Sequence, residues 1–187
     1  ISIAVPQFVT LLTMSTMLQD EGAVNVLLQN MGLISHPISF WKDPLIARIT
    51  IIVINFWIGV PFTMITVTGI LMNVPKELYE AARVDGANRF VIFMKITMPY
   101  VLFVTAPSLV TSFIGNINNF NVIYLLTAGG PADLNYFQAG KTDLLVTWLY
   151  KLTTTGKEYS YASTIGIIVF ILSATFSLLA YRRTAAY

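Results

Sequence analysis

The chain has 187 residues, 56% of them hydrophobic and only 11% charged, with a formal net charge of +2 and no cysteine. Soluble domains carry roughly 25% charged residues, so this balance excludes an ordinary water-soluble domain. The missing thiols exclude disulfides, iron–sulfur clusters and thiolate metal sites within the chain, and 11 basic against 9 acidic residues makes no case for nucleic acid.

No charge occurs in 1–19, 49–75, 96–132 or 159–181. Charge-free apolar runs of about 20 residues have the length of a membrane span. The expected fold class is therefore all-α, a polytopic membrane protein. Four transmembrane helices are expected over about 1–19, 45–72, 96–126 and 161–181, with a loop at 73–95. The first run opens at Ile1 without Met or a positive flank and reads as a cut-off span, not a signal peptide. Residues 1–187 then form the C-terminal part of a single transmembrane domain, and Pro6 is expected to kink its first helix.

A short interfacial helix is expected over Ala23–Met31, with Trp41 and Lys42 as interface anchors. The second span exceeds a hydrocarbon core of about 30 Å and should tilt or bend, most simply at Pro61. Arg48, near its outer end, is expected to snorkel to the interface. In the 73–95 loop, Asn73 suits a helix cap and Pro75 a first turn. Leu78, Ala81 and Ala82 share a face, and Gly86 can leave the helix with positive φ. A second short helix places Phe90, Phe93 and Met94 on an apolar side. These residues alone also fit an ordinary interfacial loop helix. The third span passes into an Asn-rich stretch and stops at Gly129-Gly130-Pro131. A helix is expected over Thr142–Leu152 in the following loop, and Arg182-Arg183 closes the last span.

Segment 76–95 carries four bases and three acids, and the tail after 181 has two arginines and no acid. The positive-inside rule puts both in the cytoplasm and leaves 20–43 and 129–158 outside.

Asparagines stand out inside the apolar runs. Asn55 lies in the second span, and Asn116, Asn118, Asn119 and Asn121 lie late in the third. Such groups turn away from lipid, toward protein or a water-filled cavity. Asn55, Gly59 and Phe62 fall on one helical face, and Asn116, Asn119 and Phe120 on another. An amide donates and accepts as a sugar hydroxyl does. Nearby rings (Phe56, Trp57, Phe62, Phe120) offer platforms for a pyranose. No charge accompanies them, which points to a neutral solute. Interhelical hydrogen bonding is the other use of membrane Asn, and the residues alone leave both open.

Enzyme readings fail on inventory. Ala139-Gly-Lys-Thr142 imitates the end of a phosphate-binding loop, but the position of its first Gly is Asn135. His36 is the only histidine, so HExxH zinc chemistry is impossible, and no G-x-S-x-G occurs. No metal and no cofactor is expected. A secondary transporter would need an ionisable group within the spans, and 49–75, 96–132 and 159–181 contain none.

Glu80-Ala81-Ala82-Arg83-Val84-Asp85-Gly86-Ala87, followed by Ile96 and Pro99, resembles the "EAA" loop of ABC importer permeases, E-A-A-x-x-D-G-A and then I-x-x-P. The second Pro common four residues on is Phe103 here, and the next proline is Pro107. Further stretches are similar to the larger permease subunit of maltose/maltodextrin importers: Ile54–Phe62, Ser112–Tyr124, Leu126–Pro131 and Thr142–Val146. The resemblance implies a multi-pass subunit of a bacterial or archaeal plasma membrane, in contact with lipid, with its C-terminus cytoplasmic. It implies alternating access and three protein partners: an ATPase subunit dimer, a second permease subunit and an extracytoplasmic sugar-binding protein. Carried over by motif, Glu80, Ala81, Ala82, Asp85, Gly86 and Ala87 couple to the ATPase. An oligosaccharide substrate would meet Asn55, Ile58, Gly59, Phe62, Asn116 and Asn119, with Gly115 at a position that can carry an aromatic. A permease for another sugar or a polyol is the nearest alternative.

Overall fold

Long charge-free stretches become helices because only a helix satisfies its own backbone inside hydrocarbon. The computed structural model describes residues 5–184, and their regular structure is helical. The elements are α1 (Gln7–Met17), α2 (Ala23–Asn30), α3 (Pro44–Met72), α4 (Lys76–Val84) and α5 (Arg89–Ile92). A π-helical turn (Phe93–Thr97) leads on to α6 (Met98–Ile117), α7 (Phe120–Thr127), α8 (Leu145–Thr154) and α9 (Tyr159–Thr184). One isolated bridge, Ala132 with Gly140, is the extended pairing found among the described residues.

Three stretches are long and apolar enough to cross a membrane: Pro44–Met72, Arg89–Thr127 and Tyr159–Arg182. Asp43 sets the start of the first. Its carboxylate accepts from the Leu45 and Ile46 amides, with Pro44 at the first helical position, where no N–H is needed. The helix runs on through Pro61 without leaving the α conformation. The N-terminal stretch yields the 11-residue α1, with Pro6 as its N-terminal cap residue instead of a kink; Ile1–Ala4 lie outside the described residues.

The main core joins α1, α3 and α7 through Leu11, Ile51, Ile54, Val122, Ile123 and Leu126. Two hydrogen bonds stitch its polar edge. The Ser15 hydroxyl donates to the Leu126 carbonyl at 2.9 Å, and the Trp41 indole donates to the Ser15 carbonyl at 3.1 Å. Trp41 is thus an internal strut, and Lys42 pairs with Asp20. A second core joins α8 to α9 through Leu152, Ala162 and Ile165.

Three details differ from the sequence expectations, and a buried polar residue adds a fourth finding. Asn73 caps the C-terminal end of α3, its amide donating to the Gly69 carbonyl at 2.8 Å, instead of opening α4. The helix expected at Thr142 begins at Leu145, because Thr142 and Asp143 are committed to loop hydrogen bonds. The third span turns through a π-helical segment near its start and breaks between Ile117 and Phe120. Asn25, inside the helix expected over Ala23–Met31, is fully buried. Its amide donates to the Gln19 and Ile38 carbonyls at 3.1 and 3.0 Å and accepts from the Ile38 N–H at 2.9 Å, folding the 19–38 segment back on itself.

Asn25→Ala strands the Ile38 N–H in a buried site, whereas the Gln19 and Ile38 carbonyls keep the Gly22 and Phe40 amides. At about 1–3 kcal/mol for one unpaired buried group, the substitution should destabilise this segment by about that amount. Faster amide exchange at Ile38 in the purified protein is the expected signature, and unchanged exchange would refute it.

Candidate substrate and coupling sites

The break in the third span brings three amides together. Asn116 sits in the last turn of α6, and Asn119 is the N-terminal cap of α7, accepting from the Val122 N–H at 3.3 Å. Asn55 reaches across from α3. Its amide nitrogen donates to Asn116 Oδ1 at 2.8 Å, and its oxygen accepts from Asn119 at 3.1 Å. Asn116 in turn donates to the Ser112 carbonyl at 2.9 Å. A primary amide offers two N–H donors and two lone pairs, so each of the three keeps one donor and one lone pair free after these contacts. Asn118 points elsewhere, donating to Ser173 of α9 at 3.3 Å.

Two open clefts meet at this junction. One, of about 670 Å³, is lined by Asn55, Ile58, Gly59, Thr63 and Asn116 among others, with no charged residue in its wall. The other, of about 510 Å³, lies toward the start of α3 and is lined by Asn55, Asn116 and Asn119 together with Arg48, Lys141 and Asp143. The junction is therefore uncharged on one side and bordered by charges on the other, which the spacing of Asn residues did not reveal.

Other expected contacts lie apart. Phe62 is 69% exposed and outside both clefts. Phe120 does not join the Asn face: its ring stacks on Tyr124 at 4.9 Å and meets Tyr150 edge-on at 5.0 Å. Gly115 is exposed, with open space where a Cβ would stand.

A stitched loop roofs the second cleft. Asp143 accepts from the Thr147 hydroxyl at 2.9 Å, from Lys151 at 2.7 Å and from the Gly140 N–H at 2.6 Å. Gly129 (φ 82°) passes so close that a Cβ there would strike the Asp143 and Lys151 side chains. Lys141 pairs with Asp133, and that ammonium together with the Asn135 N–H holds the Asp133 carboxyl below its ordinary range. A lowered carboxylate pKa stabilises the loop above the ordinary value, a contribution lost only as pH falls through the depressed one. Arg48 ties α3 to this roof, its Nε donating to the Lys141 carbonyl at 2.9 Å instead of merely snorkelling.

Segment 76–95 is helix, turn, helix. At the end of α4 the Gly86 N–H donates to the Arg83 carbonyl at 3.0 Å and the Ala87 N–H to the Ala82 carbonyl at 2.9 Å, with Gly86 at φ 77°. That is a Schellman cap, which asks for glycine at its left-handed position. Asn88 then opens α5, accepting from the Val91 N–H at 2.9 Å. Glu80 is exposed.

Residues 1–185 match the family described as "binding-protein-dependent transport system inner membrane component". The chain belongs to this family. It is 40% identical over 191 residues to a maltodextrin transport system permease protein of Bacillus subtilis (strain 168), covering 98% of this chain and 44% of that protein. It is 38% identical over 186 residues to a galactooligosaccharides transport system permease protein of the same organism (98% and 44%). The same identity holds over 186 residues for the maltose/maltodextrin permease protein of Vibrio cholerae (97% and 35%). The chain thus spans less than half the length of these relatives. Among solved structures, a bacterial ABC transporter involved in import of the acidic polysaccharide alginate superposes with a TM-score of 0.75 at 25% identity, covering 95% of this chain and 60% of that one.

Gly86→Ala meets no steric neighbour, so its cost is conformational, about 1–2 kcal/mol for a left-handed residue with a Cβ. Amide exchange at Ala87 should accelerate roughly tenfold while the spans stay protected; an unchanged rate would show that the cap tolerates a side chain.

Proposed function

We propose that this chain is the C-terminal, four-span part of the membrane-spanning permease of an ATP-driven importer for a neutral oligosaccharide, most simply a maltodextrin. The observation that carries the reading is the three-amide junction between two clefts. Irregular backbone at membrane depth is tolerated where it is buried in protein or lines an aqueous cavity. Here the irregular point presents spare amide donors and acceptors. The names of the maltodextrin relatives agree with it. The galactooligosaccharide relative and the alginate importer keep another oligosaccharide as the second reading.

In this reading the subunit breaks no bond. Asn55, Asn116 and Asn119 meet sugar hydroxyls, Ile58 and Gly59 form the wall, and Phe62 and Gly115 flank it. The first span is the stretch over about 1–19, of which α1 is the described helix. Glu80, Ala81, Ala82, Asp85, Gly86 and Ala87 form the coupling helix and its turn, against which an ATPase dimer pushes. A second permease subunit completes the cavity, and a sugar-binding protein delivers substrate from outside. Bound sugar, binding protein and ATP must favour different states for the cavity to open alternately.

Asn55→Ala, Asn116→Ala and Asn119→Ala should each lower uptake per assembled complex several-fold to about a hundredfold, from about 1–3 kcal/mol of lost hydrogen bonding. Asn118→Ala, which loosens the α6–α9 contact, should leave uptake per complex near normal. If the first three assemble and transport normally, the amide junction is helix-to-helix glue and not a sugar site.

A single cysteine at Asn88 should stay unlabelled by an impermeant reagent outside intact cells, while one at Asn135 reacts. The reverse pattern would invert the topology. Residues 1–187 contain no cysteine of their own.

A further inference from the structure

Basic residues gather on one face of α4, with Glu80 at its edge, four residues after Lys76. Lys76, Tyr79 and Arg83 recur at i, i+3 and i+7 and share one face, whereas Glu77, Ala81 and Val84 share the opposite one. The Tyr79 hydroxyl lies 3.3 Å from Thr97 Oγ1 in the π-helical turn at the foot of the third span. That contact turns the Tyr79 side of α4 toward the π-helical turn, while Val84 is 87% exposed.

Between α4 and the π-helical turn lies a cleft of about 710 Å³, lined by Tyr79, Arg83, Asn88, Arg89, Phe93 and Thr97 among others. No carboxylate stands in its wall, and among the described residues neither Arg83 nor Arg89 has an acidic partner. Phe90, Phe93 and Met94 are exposed on the same segment, 71%, 45% and 49% accessible, as side chains at a hydrocarbon boundary are. A π-helical turn is rare and recurs at functional sites, because it widens the helix locally. Two guanidinium forks matching a tetrahedral oxyanion, beside apolar side chains, describe the recognition of a group with a phosphate head and a hydrocarbon body.

We propose that this cleft binds the phosphate of an anionic phospholipid, with Arg83 and Arg89 as its two ligands and Tyr79 and Asn88 as neutral hydrogen-bonding neighbours. The cytoplasmic leaflet is the anionic one, so the assignment rests on the proposed cytoplasmic placement of 76–95 but not on which sugar is carried. Bound lipid neutralises two guanidinium groups where the coupling segment joins the span. Lipid composition then sets how firmly α4 is held against the foot of α6.

The test uses the complete importer, purified in neutral detergent and examined by native mass spectrometry with phosphatidylglycerol, phosphatidylcholine or inorganic phosphate added. The native protein should retain phosphatidylglycerol in preference to phosphatidylcholine, and inorganic phosphate should not displace it. Arg83→Gln and Arg89→Gln should each weaken retention about fivefold, the effect of removing one basic side chain from an anionic lipid surface. Arg83→Lys should keep most of it. Equal retention by the Gln variants, or equal binding of phosphatidylcholine, would overturn the site. Displacement by inorganic phosphate would make it a site for free anions and overturn the lipid assignment. Loss of the ATPase subunits with lipid retained would assign the arginines to a protein interface instead. An inverted labelling pattern at Asn88 would remove the topology on which the lipid depends, and that outcome is read separately.

Discussion

A helix interrupted at membrane depth must find partners for the backbone groups it frees, and that requirement organises the centre of this chain. α6 stops at Ile117 and α7 starts at Phe120. The Asn118 and Asn119 amide N–H groups turn back onto the Ile114 and Asn116 carbonyls. The Asn119 side chain takes up the first orphan donor of α7. Asn55 then clamps both sides of the break from α3. Gly or Pro would also break a helix, but neither brings a side chain able to mend it. Asparagine does both, and three of the four in 116–121, Asn116, Asn118 and Asn119, bond at the break. The mended break still has free hydrogen-bonding capacity, and in hydrocarbon that is stable only beside water or a polar solute.

Stiffness in the loop after α7 comes from a different source. Its backbone has little regular pairing, so charge-assisted bonds replace it. Asp143 gathers Gly140, Thr147 and Lys151, and Lys141 gathers Asp133 and Arg48. Each pair is modest in water, but here the acids are almost fully covered, with side-chain exposures of 4% and 5%. Burial makes such a network costly to break one partner at a time. The cost is greatest at Asp143, where a lost partner would leave a covered carboxylate beside the Gly129 turn.

Helix placement was legible in the sequence because composition alone dictates it: three long apolar segments recur where charge is absent. The Gly86 turn was legible too, since a left-handed residue leaves few choices of side chain. The misreadings share one cause. Asn73 and Phe120 each have two neighbours to choose from, and the choice is made by other segments. Asn73 lies between two helices and serves the longer one. Asn25 is buried by Gln19 and Ile38, which its own helix does not contain. Phe120 is drawn away from the Asn face by Tyr150, 30 positions on. The Arg48–Lys141 contact spans 93 positions, and no local pattern encodes it. Among the proposed substrate residues, the asparagines were visible as polar exceptions in apolar runs. The charged rim of the second cleft was not, because it joins Arg48 of α3 to Lys141 and Asp143 of a loop 93 positions and more away.

The connection between the two proposed sites is mechanical. α5, the π-helical turn and α6 form one unbroken helical path from Arg89 to Ile117. At about 1.5 Å per residue it is roughly 40 Å long, enough to carry a displacement from the membrane surface to Asn116. α4 cannot slide independently of this path, because the Schellman turn fixes its end and Tyr79 reaches Thr97. In the proposed mechanism, a push on the exposed face of α4 enters the third span through these contacts. The compliant points are Pro107 and the π-helical turn, where the backbone ladder is altered. The turn lies directly under the cleft with Arg83 and Arg89. A bound anion there would stiffen the element that decides whether motion at α4 reaches the amides or is absorbed before it does.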